Sequence, residues 1–82
     1  MQVNITVRYF ALLKDLAGQS EESLLINHGM TAAEVYLRLA GKYDFPLALT
    51  DLRFAVNDEF TSGSHPMQSG DLLVFIPPVA GG

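Results

Sequence analysis

The stretch "LLVFIPPVAGG", Leu72 to Gly82, opens on five apolar residues in a row and closes through two prolines onto two glycines. A half-buried strand alternates apolar with polar side chains, and this one does not. Leu72, Val74 and Ile76 point one way and Leu73 and Phe75 the other, so both sides are apolar. Either both faces are covered within the domain, or one awaits a partner. Pro77 and Pro78 fix φ and remove an amide donor, which ends sheet pairing and sends the chain out extended and stiff.

The chain before this stretch supplies a sheet for such a strand. In "QVNITVRY", Val3, Ile5, Val7 and Tyr9 share one face and Gln2, Asn4, Thr6 and Arg8 the other, as in a half-buried strand. "ALLKDLAG" places Leu12, Leu13 and Leu16 at helical spacing before Gly18, which predicts a short helix or turn. "SEESLLIN" reads as a second strand with its acidic beginning in water. "MTAAEV" carries the clearest helix start: Thr31 caps, Glu34 reaches back to the cap amide, and Met30 staples to Val35. Ala32, Val35, Tyr36, Leu39 and Tyr43 then form one apolar stripe, broken at "DFP", Asp44 to Pro46. "LRFAVNDEF" predicts two short strands around a turn at Asn57-Asp58, and "SGSHPMQSGD" is turn chemistry.

This order of elements belongs to an α+β domain with one main helix across one face of a mixed sheet. Placing the first and last strands at the centre, parallel to each other, explains why those two are the most apolar. The arrangement is the β-grasp, or ubiquitin-like, fold, and it leaves the far face of the sheet uncovered. Residues 1–76 are expected to form the β-grasp domain and residues 77–82 an extended tail.

Composition narrows the function. The 82 residues make one domain, which hides only about 60% of its unfolded surface at this size. Apolar residues at 49% against charged residues at 17% argue for a folded globule and against a disordered chain. The absence of cysteine excludes disulfides, thiolate metal sites and a cysteine nucleophile. A net charge of -4 disfavours nucleic acid and anionic membrane surfaces and points to a basic partner surface. No apolar run approaches the ~18 residues of a membrane span, and the expected location is the cytoplasm.

The tail carries the chemistry that the side chains lack. Pro77, Pro78, Val79, Ala80, Gly81 and Gly82, at about 3.3 Å each, reach roughly 20 Å, enough to enter a pocket on another protein. Gly81 and Gly82 make the last segment as narrow as a polypeptide can be. The carboxylate of Gly82 is then the reactive group: attack on the α-phosphate of ATP gives an acyl adenylate, which a sulfur or amine nucleophile opens.

"VRYFALLKDLAG", "AVNDEF" and "HPMQSGDLLVFIPPVAGG" together resemble the small, sulfur-carrying subunit of molybdopterin synthase, over nearly the whole length. The ending "FIPPVAGG" is the most specific piece, because other ubiquitin-like sulfur carriers share the two glycines but usually not the Pro-Pro before them. The family usually shows Arg-Glu where this chain has Lys14-Asp15, with the charge signs kept. The resemblance implies that an E1-like, ATP-dependent adenylating enzyme activates Gly82 and that a sulfur donor protein converts it to a thiocarboxylate. It further implies insertion of the tail into the large synthase subunit, within a heterotetramer of two large and two small subunits. There the sulfur attacks a cyclic pterin precursor on the way to the dithiolene of molybdopterin. No cofactor is expected on this chain, since ATP and pterin contacts belong to the partners.

Phe75 is expected as an exposed aromatic anchor for the partner, with Leu73 and Arg8 on the same surface. Core packing is the alternative for Phe75. His28 and His65 stand alone in turn-like stretches without metal-ligand spacing, so no metal site is expected. Asp15, Glu21, Glu22, Asp58, Glu59 and Asp71 read mainly as a solvated face. The alternatives to the synthase carrier are a sulfur carrier for thiamine or tRNA thiolation, a ubiquitin-like modifier joined to a target lysine, and a docking module with an inert tail.

Overall fold

The computed structural model describes residues 1–78, so Val79, Ala80, Gly81 and Gly82, with the roles expected of them, lie outside the described residues. The elements run β1 (Gln2–Arg8), α1 (Ala11–Ala17), β2 (Glu21–Asn27), α2 (Ala32–Tyr43), a 3-10 turn (Leu49–Asp51), β3 (Arg53–Val56), β4 (Glu59–Thr61) and β5 (Leu72–Ile76). They form one sheet in the order β2-β1-β5-β3-β4. β1 and β5 are parallel neighbours, and the other pairs are antiparallel. This is the ubiquitin-like β-grasp fold, with the most apolar strand, β5, at the centre of the sheet between β1 and β3.

Local chemistry sets the boundaries. Thr31 and Glu34 close a capping box: the Thr31 hydroxyl accepts from the Glu34 amide at 3.2 Å and the Glu34 carboxylate accepts from the Thr31 amide at 3.0 Å. Those bonds hold the Glu34 carboxyl below its usual pKa. α1 ends on Gly18 in the left-handed conformation, φ 73°, its amide donating to the Lys14 carbonyl at 3.0 Å. The β3–β4 connection is a two-residue turn with positive φ at both Asn57 (52°) and Asp58 (70°), the geometry that matches strand twist. Asn57 also ties this turn to β5. Its Oδ1 accepts from the Leu72 amide and its Nδ2 donates to Asp71, each at 2.9 Å.

α2 lies across one face. Ala32, Val35, Tyr36 and Leu39 meet a layer built from Ile5 and Val7 of β1, Leu24 and Ile26 of β2, Phe54 and Val56 of β3, and Leu73 and Phe75 of β5. This layer carries most of the apolar burial that stabilises so small a domain. Val74 and Ala55, although shielded, lie outside that core, on the other side of the sheet.

The parity of β5 overturns one expectation. Phe75 and Leu73 are each 0% exposed and are not surface anchors. Phe75 is ringed by Tyr36 at 5.1 Å between centroids, Phe54 at 5.9 Å and Tyr9 at 6.2 Å. In the parallel register Val7 faces Leu73 and Arg8 faces Val74. Leu73 therefore turns inward with Val7, and Arg8 lies on the opposite face from Leu73 and Phe75.

Candidate functional site

The face that α2 leaves uncovered is built by strand alternation. Register places Glu21, Arg8, Val74, Ala55 and Phe60 side by side across all five strands, and Arg53 opposite Ile76. Leu72, Val74 and Ile76 thus run up the middle of this face and lead directly into Pro77. Phe60, held outward by the Asn57-Asp58 turn, is 71% exposed. Arg8 is paired with Glu21 at 3.0 Å, on a surface half open to solvent, where such a pair contributes little to stability.

The tail leaves at a crowded end of the sheet. Because β1 runs parallel to β5, Phe10 follows Arg8 at the same end at which Pro77 follows Ile76. Phe10, Leu12 and Leu16 on and before α1 are exposed large apolar residues. On the other side of the tail root, Arg53, Phe60, Ile76, Pro77 and Pro78 line a notch of about 480 Å³. An apolar surface flanking the root of the tail is what docking would require if the tail is to enter a partner.

Beneath the same end lies a shared carboxylate. The Tyr9 and Tyr43 hydroxyls both donate to Glu22 Oε1, Tyr43 at 2.9 Å, and Gln19 Nε2 donates to the Tyr43 hydroxyl at 3.1 Å. Glu22 is thereby drawn onto the tyrosines instead of lying in the solvated acidic start expected for β2. Burial first, and then the hydrogen bond and charge of Glu22, push the Tyr9 hydroxyl well above the ordinary tyrosine range. Burial also raises Tyr36, whose hydroxyl donates to the Leu47 carbonyl at 2.8 Å.

A raised folded-state pKa gives stability that is complete below the unfolded value and is lost as pH rises above it. Unfolded tyrosine titrates near pH 10. Urea midpoints should therefore change little through neutrality on account of these groups and fall above about pH 10, with a shallower fall in Tyr9→Phe. Equal alkaline slopes in the two proteins would contradict the assignment.

Among the expected site residues, Pro77 and Arg8 are half-buried and Pro78 is exposed. Leu73 and Phe75 belong to the core instead. Phe10, Phe60 and Ile76 are not among the expected site residues. Phe60 had a signal: a two-residue turn at Asn57-Asp58 pairs Val56 with Glu59 and so Ala55 with Phe60, outside. Among the described residues no three His, Cys, Asp or Glu side chains gather as metal ligands. No helix among them is long and apolar enough to cross a membrane.

The ThiS family matches residues 7–82. The chain is 35% identical to the molybdopterin synthase sulfur carrier subunit of Escherichia coli (strain K12) over 81 residues, covering 95% of this chain and 99% of that one. It is 34% identical to the protein of the same name from Arabidopsis thaliana, covering 98% of this chain and 84% of that one. A solved protein–protein complex of subunits 1 and 2 of the molybdopterin-converting factor from Helicobacter pylori contains a chain with the same fold. The match has a TM-score of 0.62 at 27% identity and covers 98% of this chain and 100% of that one.

Proposed function

Because the chain belongs to the ThiS family, and its relatives include molybdopterin synthase sulfur carrier subunits, we propose that it is such a subunit, carrying sulfur on the carboxylate of Gly82. The observation that carries the proposal is the outward face of β5, where half-buried Leu72 and Ile76 flank the shielded Val74 and give the central strand an apolar side continuous with the root of the tail.

The chemistry needs no side chain of this protein. In an E1-like adenylating enzyme the Gly82 carboxylate attacks the α-phosphate of ATP; a C–O–P linkage forms and pyrophosphate leaves. The terminal sulfur of a donor protein's persulfide then attacks the activated carbonyl and AMP departs with the electron pair of the broken C–O bond; a second thiol attacks the donor-side sulfur of the resulting acyl disulfide, forming a disulfide with it and releasing the thiocarboxylate as the S–S bond breaks. In the large synthase subunit this sulfur attacks a side-chain carbon of the cyclic pterin monophosphate precursor; a C–S bond forms as a C–O bond of that carbon breaks, the oxygen leaving with the electron pair. Water hydrolyses the resulting thioester, which returns the Gly82 carboxylate and leaves the sulfur on the pterin. Two sulfurs complete the dithiolene, so two charged carriers serve each pterin, and an assembly of two large and two small subunits suits that count. ATP and pterin are bound by the partners.

What this chain contributes is placement. Pro77 and Pro78 carry the backbone off the end of the central strand in a stiff, extended form, so the tail loses less entropy on entering a channel than a flexible linker would. Phe60, Ile76 and Phe10 around the root supply the apolar anchors that hold the globule against the channel mouth.

Ile76→Asp places a charge in the middle of that surface. It should weaken binding to the large subunit at least about 30-fold, the scale of losing one hot-spot residue. Conversion of the cyclic pterin in a reconstituted reaction at limiting carrier should fall with it, and the melting temperature should move little because the side chain is not in the core. Undiminished binding and conversion would remove this surface from the mechanism.

A further inference from the structure

Arg53 differs from the other arginines. Arg8 is paired with Glu21, and Arg38 donates from Nη1 to the Leu25 carbonyl at 2.9 Å, covering the edge strand β2. Arg53 is exposed, and among the described residues it makes no ion pair and no side-chain hydrogen bond. It stands opposite Ile76, in the notch at the tail root.

Arg53 also lines a second groove, of about 530 Å³, between the start of α2 and the β3–β4 hairpin. Among the described residues it is the only charged one that lines this groove. Leu49, Leu52 and Phe60 give the groove apolar walls, and Thr50 and Thr61 add hydroxyls. The tail-root notch contains Asp51 beside Arg53, whereas no acid lines this groove among the described residues. An apolar cleft with a single cationic end suits an apolar side chain next to a carboxylate. The groove shares Arg53, Phe60, Leu52 and Thr50 with the notch, so a partner seated on the tail root extends into it without a break.

We propose that Arg53 receives a carboxylate of the large synthase subunit whose neighbouring apolar side chain fills the groove of Leu49, Leu52 and Phe60. This rests on the sulfur-carrier reading above and adds a specificity contact to it. The chain is acidic overall, with nine Asp and Glu against five Lys and Arg. A positive charge beside the tail root therefore fixes orientation: a wholly basic partner surface would be repelled at this point.

The test measures binding of the full chain to the large subunit over a range of salt concentrations. Arg53→Leu should bind about 5-fold more weakly at low salt and lose part of the salt dependence, and Arg53→Glu about 10-fold or more weakly, because a rim charge pair is screened and its reversal is repulsive. Both variants should melt as the parent does, since the side chain is exposed. Ile76→Asp, measured alongside, separates the two claims. If Ile76→Asp weakens binding and neither Arg53 variant does, the Arg53 contact is wrong and the docking surface stands. If none of the three changes binding, the docking surface fails, and the Arg53 contact with it.

Discussion

A chain lacking Gly82 is expected to fold, melt and dock like its parent and to carry no sulfur at all. The deletion lies six residues beyond the last strand residue, Ile76, and removes none of the core residues and none of the outward stripe of β5. It shortens the reach of the tail by about 3.3 Å, and a misplacement of even about 1 Å costs on the order of 100-fold where catalysis depends on position. Loss of thiolation to background, with unchanged circular dichroism and unchanged affinity for the large subunit, is the predicted outcome. Full thiolation of the shortened chain would show that the terminal glycine is not the acceptor.

Phe75→Ala has the second large effect, and it acts on the fold. The ring is fully buried where β5 meets α2, against Tyr9, Tyr36 and Phe54. Emptying that site should cost about 3–5 kcal/mol. A chain of this length has roughly 4–12 kcal/mol in all, by the usual per-residue range, so the variant should lose from about a quarter to all of its stability and melt well below the parent. Its partner affinity should fall only in proportion to the unfolded fraction. Thermal denaturation checks this directly: an unchanged melting temperature with lost binding would put Phe75 on the docking surface after all. Ile76→Ala, one residue on and outside the core, should cost about 1 kcal/mol or less.

The contrast between Phe75 and Ile76 shows where reading the sequence reaches its limit. Elements that depend on neighbours in the chain are legible: the alternation of β1, the Thr31–Glu34 capping box, the αL stop at Gly18 and the turn at Asn57-Asp58. The double apolar character of β5 suffices to place it inside the sheet. Which of its two faces meets the helix is another matter, because a strand apolar on both sides carries no parity of its own. That parity comes from register with β1, where Val7 faces Leu73, and register between strands some sixty residues apart is not local information. Size alone misleads in the same way: an aromatic residue beside a tail suits an anchor as well as a core.

Glu22 was legible in principle, since it shares the parity of Leu24 and Ile26 and so points inward at the end of β2. What local pattern could not supply was the donors, the hydroxyls of Tyr9 just after β1 and of Tyr43 at the end of α2, which make a carboxylate acceptable there. Phe10 and Phe60 are exposed only because of where the sheet ends and turns.

The most direct measurement is the intact mass of the chain after incubation with the adenylating enzyme, ATP and a sulfur donor. Replacement of one carboxylate oxygen by sulfur predicts a gain of about 16 Da, confined on fragmentation to Gly82. An unchanged mass, a gain elsewhere in the chain, or a stable link from Gly82 to a lysine of another protein would contradict the account.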